Sequence, residues 1–95
     1  MDIFNKVLAH FTDLCLSTKD KATHALLFDL FLTPEEKNDL AMRFLIIQEL
    51  LKGKKTQREI AKDLNVSIAK ITRGSNELKK INRKFLKYLQ ENLLE

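Results

Sequence analysis

Apolar residues return at three- and four-residue steps along most of this chain, the period of amphipathic helices. The first such segment runs from about Asp2 to Leu16, with Ile3, Phe4, Val7, Leu8, Phe11, Leu14 and Cys15 on one side. Ser17-Thr18-Lys19-Asp20 interrupts it, and Ser17 with Asp20 resembles a capping box. A second helix is predicted from about Lys19 to Phe31, with Ala22, Leu26, Leu27, Leu30 and Phe31 turned inward. Leu32-Thr33-Pro34-Glu35-Glu36 marks a third helix start: Thr33 as N-cap, Pro34 at the first helical position and Glu36 three residues on. This helix is expected to reach Lys52 and stop at Gly53. Its middle, Phe44-Leu45-Ile46-Ile47, is apolar on nearly every side, which predicts a central helix at a dimer interface. Thr56 and Glu59 open a fourth helix, Ser67 a fifth running from Ile68 to Lys80, and Asn82 a sixth that faces Phe85, Leu86, Leu89, Leu93 and Leu94 inward. The expectation is an all-α, six-helix protomer forming a single domain over residues 1–95.

Within it, Thr56–Lys80 holds two short amphipathic patterns around the polar break Asn65-Val66-Ser67. Asn tolerates a left-handed backbone, as a sharp turn between helices requires. Ala61 is small where two helices would approach, and Ile60, Leu64, Val66 and Ile71 supply the apolar contacts. The spacing suits a helix-turn-helix that reads DNA. An ordinary helical hairpin with charged outer faces has the same pattern.

Charge bears on that choice. Of 95 residues, 17 are Lys or Arg and 13 Asp or Glu, for a net +4. Twelve of the basic residues and only three acidic ones lie between Lys52 and Lys87, so this stretch carries +9 while residues 1–51 carry −3. A basic segment coinciding with a helix-turn-helix pattern is the footprint of a polyanion-binding protein. A solvated basic face without a partner, or one that docks on an acidic protein, is the other reading.

The remaining composition narrows the class. Two Gly and one Pro argue against a β-rich fold. The single Cys15 has no internal partner, and its apolar neighbours suit a small buried hydrophobe rather than a nucleophile. Met1-Asp2-Ile3-Phe4 lacks the basic start of a signal peptide, and no apolar run is long enough to span a membrane; a cytoplasmic location is expected. His10 and His24 have no metal-ligand spacing, and no catalytic constellation or phosphate-binding glycine loop is present, so neither a metal site nor an enzyme is expected. Thr72-Arg73-Gly74-Ser75-Asn76 places a glycine inside a good helix, at a cost of about 1 kcal/mol against alanine. Something is expected to approach that bare backbone: another helix, a phosphate or a ligand.

Leu32-Thr33-Pro34-Glu35-Glu36, Glu49-Leu50-Leu51-Lys52-Gly53, Gln57-Arg58-Glu59 and above all Ile71-Thr72-Arg73-Gly74-Ser75-Asn76 resemble the bacterial Trp repressor family. The resemblance extends without a gap over about residues 26–95, while the first helix matches in pattern only. It implies an intertwined homodimer that represses transcription by binding operator DNA when L-tryptophan is bound as corepressor. Arg43 and Arg73 would then sandwich the indole ring, Arg73 and Thr33 would meet the ligand carboxylate, and backbone carbonyls of Leu30 and Leu32 in the partner chain would receive the ammonium. Gly74 and Glu77 complete the expected ligand site. Glu77 stands where the family usually has a small hydroxyl residue; it would pair with the ammonium or point to solvent.

On DNA, the resemblance implies that the start of the fifth helix enters the major groove, presenting Ile68, Ala69, Lys70 and Thr72. This family is itself a standard example of the motif, so that docking geometry comes with the resemblance. Gln57, Arg58, Ser75, Asn76 and Lys79 are placed for phosphates or, for Arg58, a guanine edge, with Lys55 and Thr56 near the backbone. Lys70 and Ala61 depart from the family's familiar Thr and Lys, and the turn is poorer in glycine, so the operator is expected to differ. A regulator of the same fold with another effector, or none, is the alternative.

Overall fold

The computed structural model describes residues 2–94; Met1 and Glu95, the ends of the expected domain, lie outside the described residues. It is all-helical: α1 Ile3–Ser17, α2 Lys21–Phe31, α3 Pro34–Lys52, α4 Gln57–Leu64, α5 Ile68–Leu78 and α6 Arg83–Leu93. No helix among the described residues is long and apolar enough to cross a membrane. Contacts group the chain into two compact units, Met1–Asn38 and Asp39–Glu95.

In the first unit, Asp2 caps α1 by accepting from the Phe4 N–H at 3.0 Å. The expected Ser17 cap of α2 is corrected: Ser17 is the last residue of α1 and donates to the Leu14 carbonyl at 2.8 Å. Asp20 is the N-cap, with extended backbone, accepting from the Thr23 N–H at 2.7 Å and its hydroxyl at 3.1 Å. A carboxylate among exposed N–H donors also gains from the helix dipole, which a hydroxyl does not. His24 Nε2–H donates to the Cys15 carbonyl at 3.0 Å, tying α2 to α1. Cys15 is half-buried rather than buried. Phe11 and Phe31 meet edge to face at 5.3 Å.

The inward faces predicted for these two helices are largely uncovered. Ile3, Phe4 and Leu8 of α1, and Leu26, Leu30 and Phe31 of α2, are each more than half exposed. The apolar stripes are wider than what this chain lays against them. Val7, Leu8, Phe11, Leu14, Phe31 and Leu32 line an apolar groove of about 430 Å³ there.

The α3 start is as expected: Thr33 Oγ1 accepts from the Glu36 N–H at 3.1 Å, and Glu36 accepts from the Thr33 N–H at 2.9 Å. Its end at Gly53 has φ +66°, a left-handed value that glycine takes without strain.

The second unit is built around Ile46 of α3, Ile60 and Ala61 of α4, and Ile71 of α5, with Met42, Leu50, Leu64 and Val66 packed against them. Each fully buried isoleucine contributes roughly 2–3 kcal/mol. Within the central segment of α3 only Ile46 is buried; Phe44 and Leu45 remain 50% and 41% exposed. The α4 capping box is complete: Thr56 Oγ1 accepts from Glu59 N–H at 3.1 Å and Glu59 accepts from Thr56 N–H at 2.9 Å. Asn65 is left-handed (φ 54°, ψ 50°), and Val66 N–H bonds the Ala61 carbonyl at 3.0 Å, closing the turn into α5.

Two details of α5 differ from expectation. Ser67 is the N-cap by backbone, but its side chain makes no cap hydrogen bond. The helix ends at Leu78, so Lys79 is the C-cap and Lys80 lies beyond the last turn. There Lys80 N–H turns back to the Glu77 carbonyl at 3.1 Å and its ammonium pairs with the Glu77 carboxylate at 3.3 Å. Asn82 caps α6 as predicted, accepting from Phe85 N–H at 2.8 Å, and Gln48 Nε2 of α3 donates to the Leu93 carbonyl at its far end.

Candidate nucleic-acid interface and effector cleft

The helix-turn-helix pattern folds as α4, a tight turn and α5, packed through Ile60, Ala61 and Ile71. Burial of Ile71 and Gly74 fixes which face of α5 is inward. By helical spacing the opposite face carries Ile68, Ala69, Thr72 and Asn76, all exposed, with Ser75 half-buried beside them. These residues, expected at DNA, therefore share an accessible surface. The Thr72 hydroxyl lies 3.1 Å from both Gln57 Oε1 and the Ile68 carbonyl. With Oε1 turned to Thr72, the Gln57 amide nitrogen is the group left to donate outward. Thr56 accepts a cap bond through Oγ1, which leaves its hydroxyl hydrogen available. Arg58 and Lys79 are exposed.

Lys55 is differently placed. Its ammonium lies 2.7 Å from Asp63 of α4 and 3.7 Å from Glu49 of α3. The hydrogen bond to Asp63, together with the charges of Asp63 and Glu49, pushes the Lys55 ammonium above its ordinary range. A phosphate would have to compete with two carboxylates for it.

Gly74 resolves the sequence anomaly in favour of another helix. A Cβ there would lie 3.1 Å from Ile46 Cγ2, 3.4 Å from Leu50 Cδ1 and 3.6 Å from Ile47 Cδ1, all on α3. The missing side chain lets α5 seat closely on α3. Beside this contact lies a cleft of about 270 Å³, lined by Asp39, Met42, Arg43 and Ile46 of α3 and by Lys70 and Arg73 of α5. Arg43 and Arg73, singled out from the sequence, are thus brought to one concavity. Lys70, expected only at DNA, lines it too.

Other expected ligand residues are elsewhere. Glu77 is not among the lining residues and pairs with Lys80. Leu30, Leu32 and Thr33 lie in the first unit, at the α2–α3 junction, where Thr33 serves as cap. Asp39, Met42 and Ile46 were missed. Their signal was present: with Arg43 they stand at i, i+3, i+4 and i+7, one face of a helix.

The sequence model of the family described as Trp repressor protein matches residues 6–93. The Trp operon repressor homolog of Chlamydia caviae is 50% identical over 80 residues, covering 84% of this chain and 79% of that protein. The homolog of Chlamydia trachomatis serovar D is 46% identical over 83 residues, 87% and 88% of the two chains. That of Vibrio campbellii is 48% identical over 67 residues, 70% and 67%.

Proposed function

The chain belongs to the Trp repressor family, and on that premise we propose that it represses transcription as a homodimer that binds operator DNA when L-tryptophan occupies the cleft between α3 and α5. The observation that carries this reading is the cleft itself. Two guanidinium groups from different helices line it, and one of those helices presents its other face outward as the reading helix. A guanidinium stacks on an aromatic face and binds a carboxylate, so Arg43 and Arg73 suit an indole amino acid. Arg73 serves both ring and carboxylate. Ile46 and Met42 offer the ring an apolar wall. Thr33 and the Leu30 and Leu32 carbonyls would come from the partner chain, in keeping with the resemblance. The single domain is taken to run the length of the chain, since the family match spans both compact units.

Ligand and DNA act through α5. The corepressor, filling the cleft, holds α5 at the angle its N-terminal end needs in the major groove. Gln57, Thr56, Arg58, Asn76 and Lys79 then meet phosphates, while Ile68, Ala69, Lys70 and Thr72 face bases. Coupling of this kind is reciprocal: operator tightens tryptophan binding by the factor that tryptophan tightens operator binding.

The exposed apolar faces of α1, α2 and α3 support a homodimer, because a second copy would cover them. The reading involves no catalysis and no cofactor beyond the corepressor.

The test is selection of binding sites from random duplex DNA, followed by titration of the selected duplex with and without L-tryptophan. Tighter binding with L-tryptophan is expected; equal binding would overturn the corepressor role. Asp39 and Lys70 in the cleft favour the second reading, a regulator of the same fold with another effector. No heat of binding with L-tryptophan at millimolar concentration would select it.

A further inference from the structure

Residues 78–88 carry five cations, Lys79, Lys80, Arg83, Lys84 and Lys87, and no acid. They run from the end of α5 through the turn into the first half of α6, and all five are exposed. Lys80 lies 3.3 Å from Glu77 and Lys87 lies 3.8 Å from Glu91, both at the surface. Such pairs hold a cation weakly. Among the described residues, no ion pair includes Lys79, Arg83 or Lys84.

Arg83 and Lys84 do nothing for the fold. They are the first two residues of α6, with no acid in that turn. The positive end of the helix dipole disfavours cations there. Asn82 already caps the helix by accepting from the Phe85 N–H at 2.8 Å. Arg83 and Lys84 also precede Lys87 by four and three residues, so like charges share one face of α6 and repel. A polyanion relieves both costs.

The corner is continuous with the surface proposed to meet DNA, since Lys79 is its first cation. From Lys79 to Lys84 the backbone takes five steps of about 3.8 Å, so their α-carbons are at most about 19 Å apart. A duplex presents one phosphate charge per about 1.7 Å of its axis, so several phosphates fall within that span.

We propose that this corner is a sequence-independent duplex-binding surface, on which Arg83 and Lys84 carry the phosphate contact begun by Lys79 further along the DNA backbone. This rests on the reading of the chain as a DNA-binding repressor. The footprint on DNA then extends past the helix-turn-helix to the first turn of α6, and the added contact strengthens binding without reading bases.

The experiment titrates the full chain, with L-tryptophan, against the selected duplex and a random-sequence duplex of equal length over a range of salt. Wild type is compared with the double variants Arg83→Ala/Lys84→Ala and Arg83→Lys/Lys84→Arg. The alanine variant should make the plot of log affinity against log salt shallower by at least about one unit. It should weaken both duplexes by the same factor, roughly tenfold at low salt. The charge-keeping variant should bind as wild type. Thermal unfolding without DNA should show a midpoint that holds or rises in the alanine variant, because two cations leave the positive end of α6. An unchanged slope, a loss confined to the selected duplex, or a loss shared by the charge-keeping variant would each overturn the surface. Poly-L-glutamate bound by wild type and released by the alanine variant, with both duplexes held as before, would assign the corner to an acidic protein and overturn it too. Wild type that answers to L-tryptophan, with a slope the alanine substitutions leave intact, removes this surface alone. Wild type that binds neither duplex removes the surface and the proposed function together.

Discussion

At Gly74, one absent methyl group decides how closely two helices approach. A Cβ there would meet Ile46 Cγ2 at 3.1 Å, and Ile46 is 2% exposed, so it has little room to yield. Alanine would regain about 1 kcal/mol of helix propensity. Overpacking costs typically 1–3 kcal/mol, which outweighs it. Gly74→Ala is therefore expected to lower stability by about 1 kcal/mol in urea unfolding, with a larger loss for Gly74→Val. Arg73, one residue earlier, is exposed and lines the cleft, so its loss acts on binding. Arg73→Ala should weaken L-tryptophan at least tenfold in calorimetry and, through it, weaken operator binding. Unchanged tryptophan affinity would reject the site. Arg43, Arg73 and the oddity at Gly74 were all legible in the sequence. That Gly74 meets α3 was not, because a bare backbone has the same look whatever approaches it. Asp39 was legible in principle from its spacing to Arg43, but a lone exposed acid on a charged helix turn draws no attention until α5 forms the opposite wall.

The elements themselves follow from their caps. Thr33 with Pro34 and Glu36, Thr56 with Glu59, and Asn82 each begin a helix where the sequence places one. Ser17, Thr18 and Asp20 all carry a side-chain oxygen within four residues, but Ser17 is still helical as the last residue of α1, and Asp20 is the one that accepts from the Thr23 N–H. The Asp20 carboxyl is held below the ordinary carboxylate range, first by the Thr23 N–H and then by the Thr23 hydroxyl. A lowered carboxyl stabilises the fold above its unfolded pKa and loses that contribution as pH falls through its folded value. Asp20→Ala should consequently lower the thermal midpoint at neutral pH, and the gap to wild type should close as pH drops below about 4. A gap that persists in acid would mean the carboxylate charge is not what caps α2. The helix-turn-helix was the best-read element, since Asn65 and the apolar positions around it constrain one another. The end of α5 was read two residues long because lysines at a helix end suit the dipole whether or not the last turn continues.

For the whole molecule, the apolar pattern overstated what one chain buries. Period alone gives the inward side of α1 and α2 but not whose side chains cover it. A self-associating molecule is expected to sediment as twice the chain mass, with a thermal midpoint that rises with protein concentration. A concentration-independent midpoint at the monomer mass would defeat the homodimer. The charge asymmetry acts at this scale too. Lys79 is exposed and forms none of the ion pairs among the described residues. Lys79→Ala should weaken all duplexes about equally and make the salt dependence shallower by about one unit of slope. A loss confined to one sequence would place Lys79 on a base.

Lys55 gives the opposite bookkeeping. A lysine that leaves Asp63 and Glu49 for a phosphate displaces one condensed cation from the duplex. It also bares two carboxylates that draw cations from solution. The second movement of salt offsets part of the first. On the proposed reading, a Lys55 contact with DNA adds less than one unit to the slope of log affinity against log salt, so counting phosphate contacts from that slope would undercount it.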